Sequence, residues 1–134
     1  FALHVLSCTT RQALSLMQQP STTASKGKVI VITGGTGGIG YQAALELAHF
    51  KEHTIVVTGR SKASGEAAVA SLQSQSGNSD IHLALGDLKL QSEVTSLSID
   101  LLARFPKIDV LLNNAGNLTV GGKTKTSEGV DENF

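Results

Sequence analysis

"VITGGTGGIGYQ", residues 31–42, decides how this chain is read. Five glycines fall within the seven positions from Gly34 to Gly40. Three spacings overlap there. Gly35-Thr36-Gly37-Gly38-Ile39-Gly40 fits G-x-G-x-x-G, the pattern of a loop that brings backbone close to a pyrophosphate. Thr33-Gly34 with Gly38-Ile39-Gly40 reads T-G-x-x-x-G-x-G, and Thr33-Gly34 with Gly37 and Gly40 reads T-G-x-x-G-x-x-G. A Walker loop, G-x-x-x-x-G-K-[ST], is excluded. Gly35 and Gly40 have its separation, but Tyr41-Gln42 stand where Lys and Ser/Thr are needed. No lysine there can reach a β- or γ-phosphate.

The flanks supply the context the glycines need. "VIVIT", 29–33, is an apolar β-branched run, as a strand buried on both faces requires. A helix comes next, from Gly38 to Phe50, with Ile39, Ala43, Ala44 and Leu47 on one face. "TIVVTG", 54–59, is a second buried strand, and residues 61–75 form an alanine-rich helix with Ser61 as candidate N-cap. "IHLAL", 81–85, is a third strand. Leu90, Val94, Leu97 and Leu101 repeat at helical spacing, and Pro106 stops that helix at Phe105. "IDVLLN", 108–113, is a fourth strand. Strands alternating with helices form right-handed βαβ units and a parallel sheet. The fold class is α/β, a Rossmann-type doubly wound sheet in its N-terminal half. Its expected strand order is 3-2-1-4, with ligand at the carboxyl ends of the strands.

In that setting the first N–H groups of the helix at Gly38 point at an anion, aided by the helix dipole. A dinucleotide site with NAD places Asp or Glu about 20 residues on, against the ribose 2′-hydroxyl. Here Arg60 stands 20 positions after Gly40, in "VVTGR". A guanidinium matches a 2′-phosphate instead, which favours NADP(H) over NAD(H).

Composition sets the outer bounds. A chain of 134 residues with 40% apolar and 16% charged residues is a soluble globular type, one domain at most. Net charge is zero, so there is no basic field for nucleic acid. Cys8 is the only cysteine, which excludes an intrachain disulfide and fits an intracellular, reducing setting: cytosol, or an organelle such as a plastid or mitochondrion. His4, His49, His53 and His82 show no metal-ligand spacing, and no metal site is expected. Residues 1–27 read as an N-terminal helix and linker, with apolar Phe1, Leu3, Leu6, Leu14 and Met17 ahead of "PSTTASKGK" at 20–28. A targeting remnant is the alternative, because no acidic residue precedes Glu46. The apolar run is too short and polar to span a bilayer, which takes about 20 residues. Residues 28–134 form the nucleotide-binding unit.

Four motifs in order, "TGGTGGIG" (33–40), "TGR" (58–60), "GDL" (86–88) and "IDVLLNNAG" (108–116), resemble the short-chain dehydrogenase/reductase family. "NNAG" resembles the ordinary reductases and counts against the extended epimerase and dehydratase branch. "KTSEGVDENF", 125–134, is similar to retinol-dehydrogenase-like and protochlorophyllide-reductase-like members. The resemblance implies that Gly34, Gly38, Ile39 and Gly40 line the pyrophosphate, with Thr36 and Gly37 in the turn. It implies that Arg60 holds the 2′-phosphate, Asp87 the adenine amine, and Leu88 the ring face. Asn114, Ala115 and Gly116 would run beside the ribose, while Asn113 would tie the fourth strand to its neighbours. It also implies NADP(H) and a small lipophilic carbonyl or alcohol as partners, with an oligomer or larger assembly left open.

The family's chemistry uses a tyrosine and, four residues later, a lysine that lowers its pKa. Tyr41 is the only tyrosine here, and Leu45 stands at that spacing. The chain starts at Phe1 and stops at Phe134 within a helical pattern. The expectation is a cofactor-binding part, inactive alone, of a parent of roughly 250 to 330 residues. The alternative is a non-catalytic nucleotide-binding or assembly subunit. A Tyr-x-x-x-Lys pair beyond Phe134 would distinguish the first from the second.

Overall fold

Two β-branched runs form the centre of a parallel sheet, and every residue's fate follows from which face it points to. In the computed structural model, which describes residues 27–116 and 125–130, β1 spans Val29–Ile32 and β2 spans Thr54–Gly59. β3 covers Ile81–Leu85 and β4 covers Val110–Leu112. All pairings are parallel, in the order β3-β2-β1-β4. This is the expected 3-2-1-4 arrangement. The expected N-terminal helix lies outside the described residues.

Ile30, Ile32, Ile55, Val57 and Ile81 point to one face of the sheet. There they meet α1 (Gly38–Ala48) and α2 (Lys62–Ser76) through Ala44, Ala48 and Leu72. Val31, Val56 and Ala84 point to the other face, against Leu97 and Leu101 of α3 (Gln91–Arg104). The alternation is the two-residue period of a strand. Each fully buried Ile, Val or Leu contributes about 1.5–3 kcal/mol of burial. The two central strands therefore carry most of the core.

Helix ends follow local chemistry. The Ser61 hydroxyl accepts the Ser64 N–H at the start of α2, and Gly77 closes it in the left-handed region. At the end of α3, Phe105 is already extended, as a residue before proline must be. Asp80 sits between α2 and β3. Burial pushes its pKa up, but hydrogen bonds from the Thr54 hydroxyl and His82 outweigh that and hold it below the ordinary value.

Three expectations need correction. The first helix ends at Ala48 rather than Phe50, where the chain tightens and the Phe50 N–H reaches only back to Leu47. Of its expected face, Ala44 is buried and Leu47 packs against the core, but Ile39 is 84% exposed, and Gly40 and Ala48 complete the sheet-facing stripe with Ala44. The small residues let the helix approach the sheet closely. The fourth strand is Val110–Leu112, shorter than 108–113. At its start the Asp109 carboxylate takes the Val29 N–H at 2.9 Å, so a side chain replaces one ladder bond. Beyond it, Asn114 turns back onto β1. All three residues of β4 are exposed, Leu111 at 57%.

Candidate functional site

Parallel strands put the loops after β1, β2, β3 and β4 at one end of the sheet. They enclose a cavity of about 910 Å³. The β1–α1 turn contributes Gly34, Thr36, Gly37 and Ile39. The end of β2 contributes Thr58, Gly59 and Arg60. Gly86, Asp87, Leu88 and Lys89 come from the loop after β3. Asn114, Ala115 and Gly116 come from the segment after β4. Ten of the twelve residues expected at a cofactor site thus meet in one cavity.

Gly38 and Gly40 are the two that do not line it. Both act through the backbone. Gly38 opens α1 at φ +56°, where L side chains are strained. Gly40 is buried at the crossing of α1 with the turn. A Cβ there would lie 2.4 Å from Asn114 Nδ2 and 2.5 Å from the Gly34 carbonyl oxygen. Such a contact leaves no room for any side chain. No side chain caps α1, and no acidic residue occupies its first turn. The orphan N–H groups of a helix start therefore face the cavity end of the molecule without a competing anion.

Two threonines fix the turn. The Thr33 hydroxyl accepts the N–H groups of Asn114 and Ala115, both at 3.0 Å. The Asn114 amide returns a bond to the Thr33 carbonyl at 3.0 Å. Buried Thr58 accepts the Gly34 N–H at 3.3 Å. Asn114, not Asn113, ties the end of β4 to β1; Asn113 is exposed. Thr33 and Thr58 both fall within the sequence motifs, but those motifs do not reveal that their hydroxyls act as clasps, because the partners of each become neighbours only in the fold.

The opposite end of the cavity is built from side chains. Arg60 is exposed at the tip of β2, and among the described residues no carboxylate pairs with it. The Asp87 carboxylate accepts the Lys89 N–H at 3.0 Å, an Asx turn. The Asp87 N–H in turn donates to Glu93 Oε2 at 2.6 Å, which fastens the "GDL" loop to the first turn of α3. Glu128 accepts from the Gln91 and Ser92 N–H groups and from the Ser92 hydroxyl. That hydroxyl first, with the two amides, holds the Glu128 carboxyl below its ordinary pKa against the opposing effect of desolvation. Gln91, Val94 and Val130 complete the wall. None of Gln91, Glu93, Val94, Glu128 and Val130 carries a sequence signal of a site residue. Tyr41 is not in the cavity: its phenol donates to Ser71 Oγ at 2.8 Å and accepts from Gln75, joining α1 to α2.

Fold and loop together define a dinucleotide-type α/β unit. The family model described as short chain dehydrogenase matches residues 28–134, and the chain belongs to that family. It is 32% identical to retinol dehydrogenase 12 of Mus musculus, over 81% of this chain and 34% of that protein. It is 35% identical to dehydrogenase/reductase SDR family member 13 of Homo sapiens, over 72% of this chain and 25% of that protein. A solved short-chain dehydrogenase from Sphingobium yanoikuyae, in complex with NADPH, is 31% identical with a TM-score of 0.62. The match covers 76% of this chain and 39% of that one. A short chain dehydrogenase from Shigella flexneri complexed with NADP gives 25% identity and a TM-score of 0.60, over 68% of this chain and 38% of that one. The chain spans about a third or less of the length of these curated relatives. No helix among the described residues is long and apolar enough to cross a membrane.

Proposed function

We propose that residues 28–134 are the nucleotide-binding part of an NADP(H)-dependent oxidoreductase acting on a carbonyl or alcohol. The observation that carries this reading is the single cavity, glycine-walled at the end of β1 and cationic at the end of β2. Its size and donors fit a dinucleotide. Backbone N–H groups, with no side chain in the way at Gly40, suit a pyrophosphate. Arg60, which no described carboxylate engages, suits a 2′-phosphate, which it would meet with a planar pair of N–H donors.

In this reading the first turn of α1 and the Gly34–Gly37 turn hold the pyrophosphate. Arg60 holds the 2′-phosphate. Asp87 and Leu88 flank the adenine, and Asn114, Ala115 and Gly116 run along the ribose. The nicotinamide supplies hydride chemistry when bound. The chain's own contribution is to orient that group and to place one end of it beside the loop after β4. A small lipophilic substrate is the further expectation, supported by the resemblance of 125–134 and by the similarity to retinol dehydrogenase 12.

The test is a titration of the natural protein with NADPH and NADH, and then an assay with small aldehydes and ketones. Tighter binding of NADPH together with reduction of a carbonyl supports the proposal. Binding without turnover would favour the non-catalytic subunit, and absence of binding would overturn the reading.

A further inference from the structure

The start of α3 is capped in a way that the family's motifs do not explain. Its N-cap, Leu90, has no side chain that can accept a hydrogen bond, and none caps the helix from that position. Yet the first amides of the helix are satisfied, from far along the chain. Glu128 receives the Gln91 N–H on Oε2 at 2.5 Å. Its Oε1 receives the Ser92 N–H at 3.2 Å and the Ser92 hydroxyl at 2.5 Å. A carboxylate here meets both the orphan donors and the positive end of the helix dipole.

The turn that carries Glu128 is built to aim it. The Thr126 hydroxyl accepts the N–H groups of Glu128 and Val130, each at 3.3 Å. The Thr126 N–H donates to the Val130 carbonyl at 2.8 Å, and Gly129 takes φ +80° to close the turn. The same turn lays Val130 into the cavity wall beside Gln91 and Val94. Asp87 hangs from the same helix end through Glu93. One carboxylate therefore joins the segment after β4 to the wall that faces the adenosine side.

We propose that Glu128 is a positioning residue for the cofactor: it clamps the 125–130 turn to the start of α3 and so sets the adenosine-side wall. The inference rests on the dinucleotide reading given above. Glu128 acts through Val130 and α3, not on the 2′-phosphate. Its loss should therefore weaken NADPH and NADH by the same factor, unlike the loss of Arg60.

The experiment titrates the natural protein with NADPH and with NADH, in wild type, Glu128→Ala, Glu128→Gln and Arg60→Asp. Amide hydrogen exchange at Gln91 and Ser92, and the melting temperature, are measured in parallel. Glu128→Ala is expected to weaken both cofactors equally, by about 3- to 10-fold, the scale of a lost helix cap. Exchange at Gln91 and Ser92 should accelerate. Glu128→Gln keeps one acceptor and should lose less. Unchanged affinity in Glu128→Ala, or a lowered melting temperature with unchanged affinity, overturns the clamp while leaving the cofactor reading intact. If Glu128→Ala does not fold, the Gln variant decides: faster exchange at Gln91 and Ser92 with affinity equal to wild type overturns the proposal, and so does unchanged exchange with weakened affinity. Wild type that binds neither cofactor removes the reading on which the clamp rests.

Discussion

The two ends of the cavity are made of different material. At the end of β1 the wall is backbone: glycines, helix amides, and threonine hydroxyls that hold the turn. At the ends of β2 and β3 it is side chain: Arg60, Asp87 and two glutamates that fasten the loop and helix behind it. At Gly34, Gly35 and Gly40 the backbone leaves no room for an added Cβ, and backbone groups carry no selectivity for one nucleotide over another. Side chains tolerate replacement and decide which nucleotide fits. Substitutions at the first end should therefore damage folding, and those at the second should shift affinity.

The sharpest test of that division is Gly40→Val. Its Cβ would press on the Gly34 carbonyl and the Asn114 amide, and it should cost roughly 3 kcal/mol of stability or more. Urea unfolding reads it; a midpoint equal to wild type would show that the backbone end has room to spare. Arg60→Asp should leave the urea midpoint alone. It should weaken NADPH about 100-fold and spare NADH, given the strength of charge-assisted bonds. Equal losses for both nucleotides would break the contrast. Thr33→Val removes the acceptor of the Asn114 and Ala115 N–H groups and should cost about 1–3 kcal/mol. Thermal unfolding checks this, and no change in melting temperature would mean that water replaces the hydroxyl.

The smallest effect is in acid. Glu128 and Asp109 both lie below their ordinary pKa. For Glu128 the Ser92 hydroxyl is the first cause; for Asp109 it is the hydrogen bond from Lys107, and then that from Val29. A depressed folded pKa means that the stabilising contribution is present above the unfolded value. It is lost as pH falls through the folded one. Stability should therefore decline below about pH 4. Glu128→Gln should flatten part of that decline in a series of melting curves. A slope identical to wild type would remove Glu128 as a contributor.

The same division explains what is legible in the sequence. β1 and β2 are buried on both faces, so their sequences are unbroken apolar runs that only a central strand explains. Glycine spacing announces the turn because few other sequences fit it. Gly38 and Gly40 are legible as necessary, although their service is to the backbone path rather than to the wall. By contrast, Glu93 and Glu128 look like ordinary surface charges. Only the fold brings position 128 to the start of a helix 37 residues earlier. The apolar pattern makes β4 too long because Asp109 and Asn114 take over ladder bonds with their side chains, which no such pattern reveals. Helical spacing places Ile39 on a packed face. In the first turn of α1, however, Ile39 is exposed and lines the cavity instead of the core.

The strand order also bears on how the chain acquires its shape. β1 pairs with β2 across 25 positions, Val29 with Thr54, but with β4 across 80, Ile30 with Val110. Closing the longer loop is entropically slower, and synthesis supplies β4 last. A nascent chain can thus assemble β1, β2, β3 and the two helices on one face while β1 still has a bare edge. The Thr33 clasp with Asn114 and Ala115, and with it the floor of the cavity, forms only when β4 arrives. In the proposed reading, a nucleotide would find its complete β1 wall only after β4 has paired, and would not template the earlier pairings.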